Sequence, residues 1–213
     1  LKRLTYLFNV TDKTMKKISL ILISMLMCNI MIAQTAKSVL DKIAATISSR
    51  TGVTANFKIS NVQNGGISGT ISVKGKKFYA TTSQANVWFD GKTQWTYMKN
   101  NNEVNVNTPG ENELQAINPY NFINIYKSGF TYSMKTTGSN YEVHLKATNS
   151  KRSIQEMYIY ANKTTYVPSQ IKMRQGNKWS TISISGLKRS ALNDNMFRFN
   201  PKSYPNVEII DLR

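Results

Sequence analysis

Beyond residue 34, the pattern of apolar positions has a helical period in one place. Val39, Leu40, Ile43 and Ile47 fall on one face of a helix, and Gly52 follows them as a stop signal. The pattern therefore predicts an amphipathic helix from Thr35 to Ser49. We expect its apolar face to pack on a sheet, because the rest of the chain has the period of two that is typical of strands.

From Thr54 onward the apolar residues alternate with polar ones in short runs, and turn residues separate the runs. Alternation of this kind is typical of antiparallel strands. The predicted strands are Ala55 to Ser60, Gly69 to Val73, Lys77 to Thr82, Asn86 to Asp90, Thr93 to Met98, Glu103 to Asn107, Thr131 to Thr136, Tyr141 to Ala147, Ile154 to Tyr160, Ser169 to Arg174 and Lys178 to Ser185. So many strands in one domain predict a mainly β fold with one large curved antiparallel sheet or barrel.

Two local signals refine this map. Asp90-Gly91 lies between two aromatic-rich runs, and it predicts a hairpin turn because such turns need a residue with positive φ. The segment from Pro119 to Tyr126 begins with proline, which the first turn of a helix tolerates. We expect it to form a short second helix.

The strands carry many large apolar side chains, and one helix of about 15 residues, at 1.5 Å per residue, covers only part of such a sheet. An apolar pocket on the concave face is one consequence. The alternative is that these side chains only pack the helix onto the sheet. The side chains expected to line the pocket are Phe57, Ile59, Ile71, Val73, Phe78, Trp95, Tyr97, Tyr132, Met134, Met157, Ile171 and Met173.

The N-terminal region has the form of a secretory signal peptide. Met15-Lys16-Lys17 precedes an apolar run from Ile18 to Ile32, and a small residue, Ala33, follows. This run is shorter than the roughly 20 apolar residues of a membrane-spanning helix. We expect residues 1–14 to lie upstream of the true start at Met15, cleavage near Gln34, and a single exported domain over residues 34–213.

Few side chains suit catalysis or metal binding. The one cysteine, Cys28, lies inside the predicted signal peptide, so cleavage would leave no thiol chemistry. The one histidine, His144, alternates with charged residues along its strand and is expected to face water. The carboxylates are scattered and no glycine-rich phosphate loop occurs. We therefore expect no enzymatic activity, no metal and no cofactor.

The chain is strongly basic, with a formal net charge of +17. The excess of lysine and arginine persists after residues 1–33 are removed, and it is dispersed rather than clustered. Such a charge favours contact with anionic surfaces such as lipid headgroups. For an exported protein we expect no nucleic-acid partner.

Several of these features together resemble the LolA-like periplasmic carriers of outer-membrane lipoproteins. The resemblance includes the N-terminal helix, the segments from Gly69 to Phe78 and from Val87 to Tyr97, and the proline-led segment at Pro119. The end of the chain, from Phe197 to Asp211, is also similar. The resemblance implies an incomplete, half-open antiparallel β-barrel covered by helices.

The same resemblance implies a periplasmic chaperone that shields lipoprotein acyl chains in a hydrophobic cavity during transfer to the outer membrane. Its implied partners are acylated lipoproteins, an inner-membrane lipoprotein-releasing transporter and an outer-membrane acceptor, with transient membrane contact by a monomer. The implied lid consists of Val39, Leu40, Ile43 and Ile47 with Phe122 and Ile123. Lys74 stands where the family often has the arginine that latches the lid, and lysine lacks the planar donor fork of arginine.

Two other functions stay open. A module of the same fold could sense lipid in the cell envelope rather than carry cargo. An uncharacterised hydrolase would require carboxylates or an activated serine that converge in the pocket.

Overall fold

The computed structural model describes residues 36–61, 66–110 and 125–213. They form one α-helix, α1 over residues 36–47, together with twelve strands and three 3₁₀ turns. The strands are β1 (Val53–Asn61), β2 (Gly66–Lys74), β3 (Lys77–Thr82), β4 (Ala85–Phe89), β5 (Gln94–Met98), β6 (Glu103–Asn107), β7 (Phe130–Thr137), β8 (Asn140–Ala147), β9 (Glu156–Asn162), β10 (Pro168–Gln175), β11 (Lys178–Arg189) and β12 (Glu208–Asp211). The 3₁₀ turns are Ile125–Lys127, Asp194–Phe197 and Pro201–Ser203.

All twelve strands belong to one open sheet, in the order β12-β6-β5-β4-β3-β2-β1-β11-β10-β9-β8-β7. Neighbours in sequence are mostly neighbours in the sheet, because short turns join them into two meanders that meet where β1 pairs with β11. Every pairing is antiparallel except that of β12 with β6. The predicted mainly β fold with a large curved antiparallel sheet is confirmed, and the eleven predicted runs correspond to β1 through β11.

The helix packs its apolar stripe on the concave face of the sheet. Val39, Leu40, Ile43 and Ile47 are all buried, as the sequence pattern predicts. Beneath them lie side chains of the second meander, including Val143, Leu145 and Met157, in the main hydrophobic core. Helix α1 therefore covers one part of the concave face and leaves the neighbouring part uncovered by the helix.

The C-terminal segment, residues 190–207, builds a second, smaller core on the convex face. Trp88 is buried there with its ring 5.5 Å from that of Phe199 and 5.7 Å from that of Tyr204. The Tyr97 ring lies 4.8 Å from that of Tyr204. The segment ends in β12, which the alternation pattern did not reveal because only four residues take part in it. The convex face of β3 to β6 is thus partly covered as well.

The turn between β4 and β5 forms as Asp90-Gly91 predicts. The Asp90 carboxylate accepts hydrogen bonds from the backbone N–H groups of Lys92 and Thr93 at 3.0 and 2.9 Å. Gly91 has φ of 101°, a conformation that other residues rarely adopt. Arg198 donates a further bond to the same carboxylate at 3.1 Å and so fastens the C-terminal segment to this turn.

Some predicted features lie outside the described residues. They are the signal peptide and upstream residues over 1–33, and Phe122 and Ile123 of the predicted second helix. Of that helix, Ile125 and Tyr126 are described, and they begin a 3₁₀ turn. Within the described ranges, no helix has the length and apolar character needed to cross a bilayer.

Candidate functional site

An apolar cavity of about 630 Å³ lies on the concave face beside the C-terminal end of α1. Its volume is within the usual range for sites that bind small molecules. No charged side chain lines it among the described residues. The lining side chains are Ile47, Val53, Ala55, Asn56, Phe57, Ile59, Ile67, Ile71, Val73, Phe78, Ala80, Thr82, Val87, Gln94, Thr96, Met173, Gln175, Ser180, Ile182, Ile184 and Leu187.

The floor of the cavity is set by the register of the central strands. Ala55, Ile71, Ala80 and Val87 are successive Cα partners across β1 to β4, so their side chains point to the same face. The small alanines in this row leave room above the sheet. Gly69 lies in the next row, where a side chain would collide with the Thr81 backbone carbonyl and approach the Phe57 ring to 3.1 Å.

The cavity reaches solvent at the end of the sheet that is distant from α1. Ile67, at the start of β2, is 42% exposed although it belongs to the lining. Gln175, at the end of β10, is also exposed. Among the described residues, the mouth of the cavity therefore lies near the start of β2 and the end of β10.

The structure divides the predicted lipid-binding residues into three groups. Those in the cavity lining are Phe57, Ile59, Ile71, Val73, Phe78 and Met173. Four others, Tyr132, Met134, Met157 and Ile171, pack in the main core that α1 covers. One part of the concave face thus lines an apolar cavity, and another part packs against α1. The sequence offered these as alternatives.

Trp95 and Tyr97 form the third group, and the structure differs from the sequence prediction here. The Cα partner of Trp95 is Trp88, and both side chains belong to the convex aromatic core with Tyr97. On β5 the residues that face the cavity are Gln94 and Thr96 instead. Val87 of β4 thus presents an apolar side chain to the cavity, whereas the apolar side chains of β5 point to the opposite, convex face.

Ile182 and Ile184 line the cavity and were missed by the sequence reasoning. They alternate with polar residues along β11, which was the available signal. Their Cα partners on β1 are Ile59 and Phe57, so the central strand pair supplies much of the apolar wall.

Helix α1 is fastened by residues that the sequence did not single out. The buried Tyr126 donates a hydrogen bond from its hydroxyl to the Asp41 carboxylate at 2.5 Å. Lys42 donates to the Tyr166 hydroxyl at 3.1 Å. Burial and the hydrogen bond to Asp41 raise the pKa of Tyr126. The hydrogen bonds from Lys37 and Tyr126 lower the pKa of Asp41.

Tyr126→Phe should loosen α1. The change removes a hydrogen bond to a charged group, so we expect a loss of about 1.5 kcal/mol in unfolding free energy and faster amide exchange in α1. The pKa of Asp41 should rise toward its ordinary value. Hydrogen exchange and NMR titration measure both effects, and Tyr132→Phe is the control. Unchanged exchange in α1 would show that Tyr126 does not hold the helix.

Lys74 does not contact α1 among the described residues, which differs from the predicted latch. Its ammonium group lies 2.9 Å from the Leu192 carbonyl oxygen and 2.9 Å from the Asp194 carboxylate. Lys77 contacts the same carboxylate at 3.0 Å. These two lysines lower the pKa of Asp194. Lys74 thus fastens the C-terminal segment to the end of β2.

The outer face of β8 to β11 carries a polar cluster around Glu156. His144 Nε2 lies 2.9 Å from the Glu156 carboxylate, and Arg174 and Tyr158 each donate to it at 3.1 Å. The His144 ring also stacks on Tyr158, with centroids 4.4 Å apart. His144 is half-buried on the outer face of its strand, on the side of the sheet opposite the cavity.

Acid should weaken this cluster through Glu156. Burial raises its pKa, but the hydrogen bonds from His144, Arg174 and Tyr158 outweigh burial and hold the pKa below its ordinary 4.5. A lowered folded-state pKa contributes stability that is present above 4.5 and is lost as the pH falls through the folded-state value. Glu156→Gln should remove that part of the acid dependence in denaturant titrations. Glu208→Gln is the control, and equal behaviour of the two variants would contradict the account.

The described ranges contain no group of three or more His, Cys, Asp or Glu side chains that could hold a metal ion. The cavity itself offers amide, hydroxyl and apolar groups. What this arrangement can do chemically is bury an apolar ligand.

Comparison with known proteins gives a family and a fold. The family profile described as outer membrane lipoprotein carrier protein LolA matches residues 27–177. An uncharacterised conserved protein from Thermus thermophilus is similar in structure, with a TM-score of 0.56 and 10% identity over 83% of this chain and 99% of that one. No curated protein sequence matches the chain.

Two further solved structures have lower TM-scores. A LolA superfamily protein from Nitrosomonas europaea has a TM-score of 0.43 and 11% identity, over 77% of this chain and 97% of that one. A putative outer membrane lipoprotein-sorting protein domain from Vibrio parahaemolyticus has a TM-score of 0.47 and 10% identity, over 81% of this chain and 99% of that one.

The family profile covers well over half of the chain. Proteins of this family are binding and carrier proteins, which supports a lipid- or lipoprotein-binding role and a location outside the cytoplasm. The concave apolar cavity agrees with that role. The chain therefore belongs to the LolA family of outer membrane lipoprotein carrier proteins.

Proposed function

We propose that this protein is a periplasmic carrier that shields the acyl chains of lipoproteins during their transfer to the outer membrane. The observation that carries the proposal is the apolar cavity of about 630 Å³ on the concave face, open at one end of the sheet. The acyl chains enter this cavity, and the polar part of the lipoprotein stays in solvent. The protein performs no covalent chemistry on its cargo.

Burial of the acyl chains supplies the driving force. Each CH₂ group removed from water contributes about 0.8 kcal/mol, so a few acyl chains give ample driving force. Loading therefore requires a membrane partner that releases lipoproteins, and unloading requires an acceptor that offers a better apolar site. The positive charge of the chain favours brief approach to anionic lipid surfaces during both steps.

Export follows from the N-terminal pattern. The signal peptide from Met15 to Ala33 is removed, and residues 34–213 act as one monomeric domain. N-terminal sequencing of the exported protein should find a start near Gln34. An intact N-terminus at Met15 in the membrane fraction would contradict export as a soluble carrier.

A transfer assay between vesicles tests the carrier function. Donor vesicles hold an acylated lipoprotein with a fluorescent label, and acceptor vesicles are empty. We expect the protein to release label into a soluble complex and then to deliver it, whereas it should not bind the same lipoprotein without its acyl chains. Release without delivery would favour a lipid-sensing module, and failure to release would overturn the proposal.

A further inference from the structure

One buried polar atom of a side chain in the cavity lining lacks a hydrogen-bond partner among the described residues. Gln94 is 9% exposed and lines the cavity from β5. Its amide nitrogen donates to the Thr96 hydroxyl at 3.3 Å, and its amide oxygen, Oε1, is buried without a partner among the described residues. Buried polar atoms are almost always paired in folded proteins, so an unpaired one calls for an explanation.

The sheet register places Gln94 at the border of the cavity, although its Oε1 has almost no exposed surface in this side-chain conformation. Gln94 pairs with Phe89 of β4, and Thr96 pairs with Val87, so both polar side chains point to the face on which Val87 and Phe78 lie. This is the position at which the apolar side of the sheet changes face. A strip of amide and hydroxyl groups therefore borders the apolar cavity.

We propose that Gln94 is the subsite for a polar group of the bound acyl compound. When the Gln94 side chain turns toward the cavity, its Oε1 accepts a hydrogen bond from an N–H or O–H group attached close to the acyl chain. The shared chemistry is a hydrogen-bond donor on a long-chain lipid, either the amide of an N-acylated terminus or the hydroxyl of a hydroxylated chain. This inference rests on the proposed function, since it assumes an acyl ligand in the cavity.

The alternative polar residue of the lining offers a matched control. Gln175 also lines the cavity, but it is exposed at the mouth, where water satisfies its amide. Leucine is close to glutamine in size and removes the acceptor at either position. Gln94→Leu should therefore remove the preference for donor-bearing ligands, and Gln175→Leu should leave that preference intact.

The experiment uses three compounds with the same long acyl chain: a methyl ester, an N-methyl amide and a 3-hydroxy methyl ester. Each is titrated against the whole exported protein and against the two variants. We expect the parent protein to bind at least one donor compound about tenfold more tightly than the ester. That ratio should fall to about one in Gln94→Leu, with ester affinity unchanged or higher, and the stronger donor compound identifies the source.

Each outcome decides a different question. If the parent protein binds all three compounds equally, Gln94 is not a polar subsite, while the carrier proposal stands. A preference that persists in Gln94→Leu but is lost in Gln175→Leu would also overturn the inference. If none of the compounds binds, the proposed function itself fails. The comparison within the parent protein needs no variant, so a folding defect in Gln94→Leu would not remove the test.

Discussion

Ile71→Arg should abolish binding of acylated ligands while the protein stays folded. Ile71 lies in the floor of the cavity and is only half-buried, so a long side chain fits there without disturbing the core. The guanidinium group would stand where the acyl chain lies, and covering a charge with hydrocarbon costs several kcal/mol. We expect affinity for an acylated peptide to fall at least about a hundredfold, equivalent to about 2.8 kcal/mol.

The same substitution on the convex side is the matched control. Ile209 is 49% exposed on β12, away from the cavity, so Ile209→Arg should change affinity by less than about twofold. Fluorescence titration with an apolar probe and competing acylated peptide measures both variants. Equal affinity in the parent protein and Ile71→Arg would show that acyl chains do not use this cavity.

Phe199→Ala should have the largest effect on stability. Phe199 is buried on the convex face between Trp88 and Tyr204, with centroids 5.5 and 5.3 Å away. Truncating a buried phenylalanine costs about 3 to 5 kcal/mol of unfolding free energy, because the cavity it leaves cannot be refilled. The C-terminal segment would lose one of its buried aromatic anchors, so tryptophan fluorescence should shift to longer wavelength as Trp88 becomes exposed.

Met196→Ala provides the comparison for this prediction. Met196 belongs to the same segment but is 38% exposed, so its truncation should cost no more than about 0.5 kcal/mol. Denaturant unfolding measures the two variants side by side. If both variants lose the same unfolding free energy, the aromatic core on the convex face does not stabilise the C-terminal segment.

Local patterns were sufficient for α1, for β1 to β11 and for half of the predicted cavity residues. Val39, Leu40, Ile43 and Ile47 define the buried face of α1 because helical spacing puts them on one stripe whatever the partner. Phe57, Ile71 and Phe78 alternate along central strands that have one apolar face. On such strands the alternation of apolar and polar residues alone shows which side chains point to the core.

The pattern could not decide which face is concave on β5. Trp95 and Tyr97 alternate with Gln94 and Thr96, and either set could face the helix until the pairing register is known. The aromatic set points outward because the distant residues 190–207 fold over it. No window of ten or fifteen residues contains that information, and the buried Gln94 amide was missed for the same reason.

The role of Lys74 shows a similar limit. A lysine near the end of a strand can reach any acceptor that the fold brings within a few ångström, and the sequence does not reveal which acceptor that is. Here the acceptors are the Leu192 carbonyl and the Asp194 carboxylate, more than a hundred positions later. The helix is held instead by Tyr126 and Tyr166, whose spacing from α1 carries no local signal.

The central claim is that acyl chains lie on the concave face, and a spin label on the chain tests it most directly. The protein is labelled at isoleucine methyl groups and mixed with a lipopeptide whose acyl chain carries a nitroxide. We expect the NMR signals of Ile71, Ile182 and Ile184 to broaden strongly, while that of Ile209 remains sharp. Broadening of Ile209 with sharp signals from the cavity would contradict it.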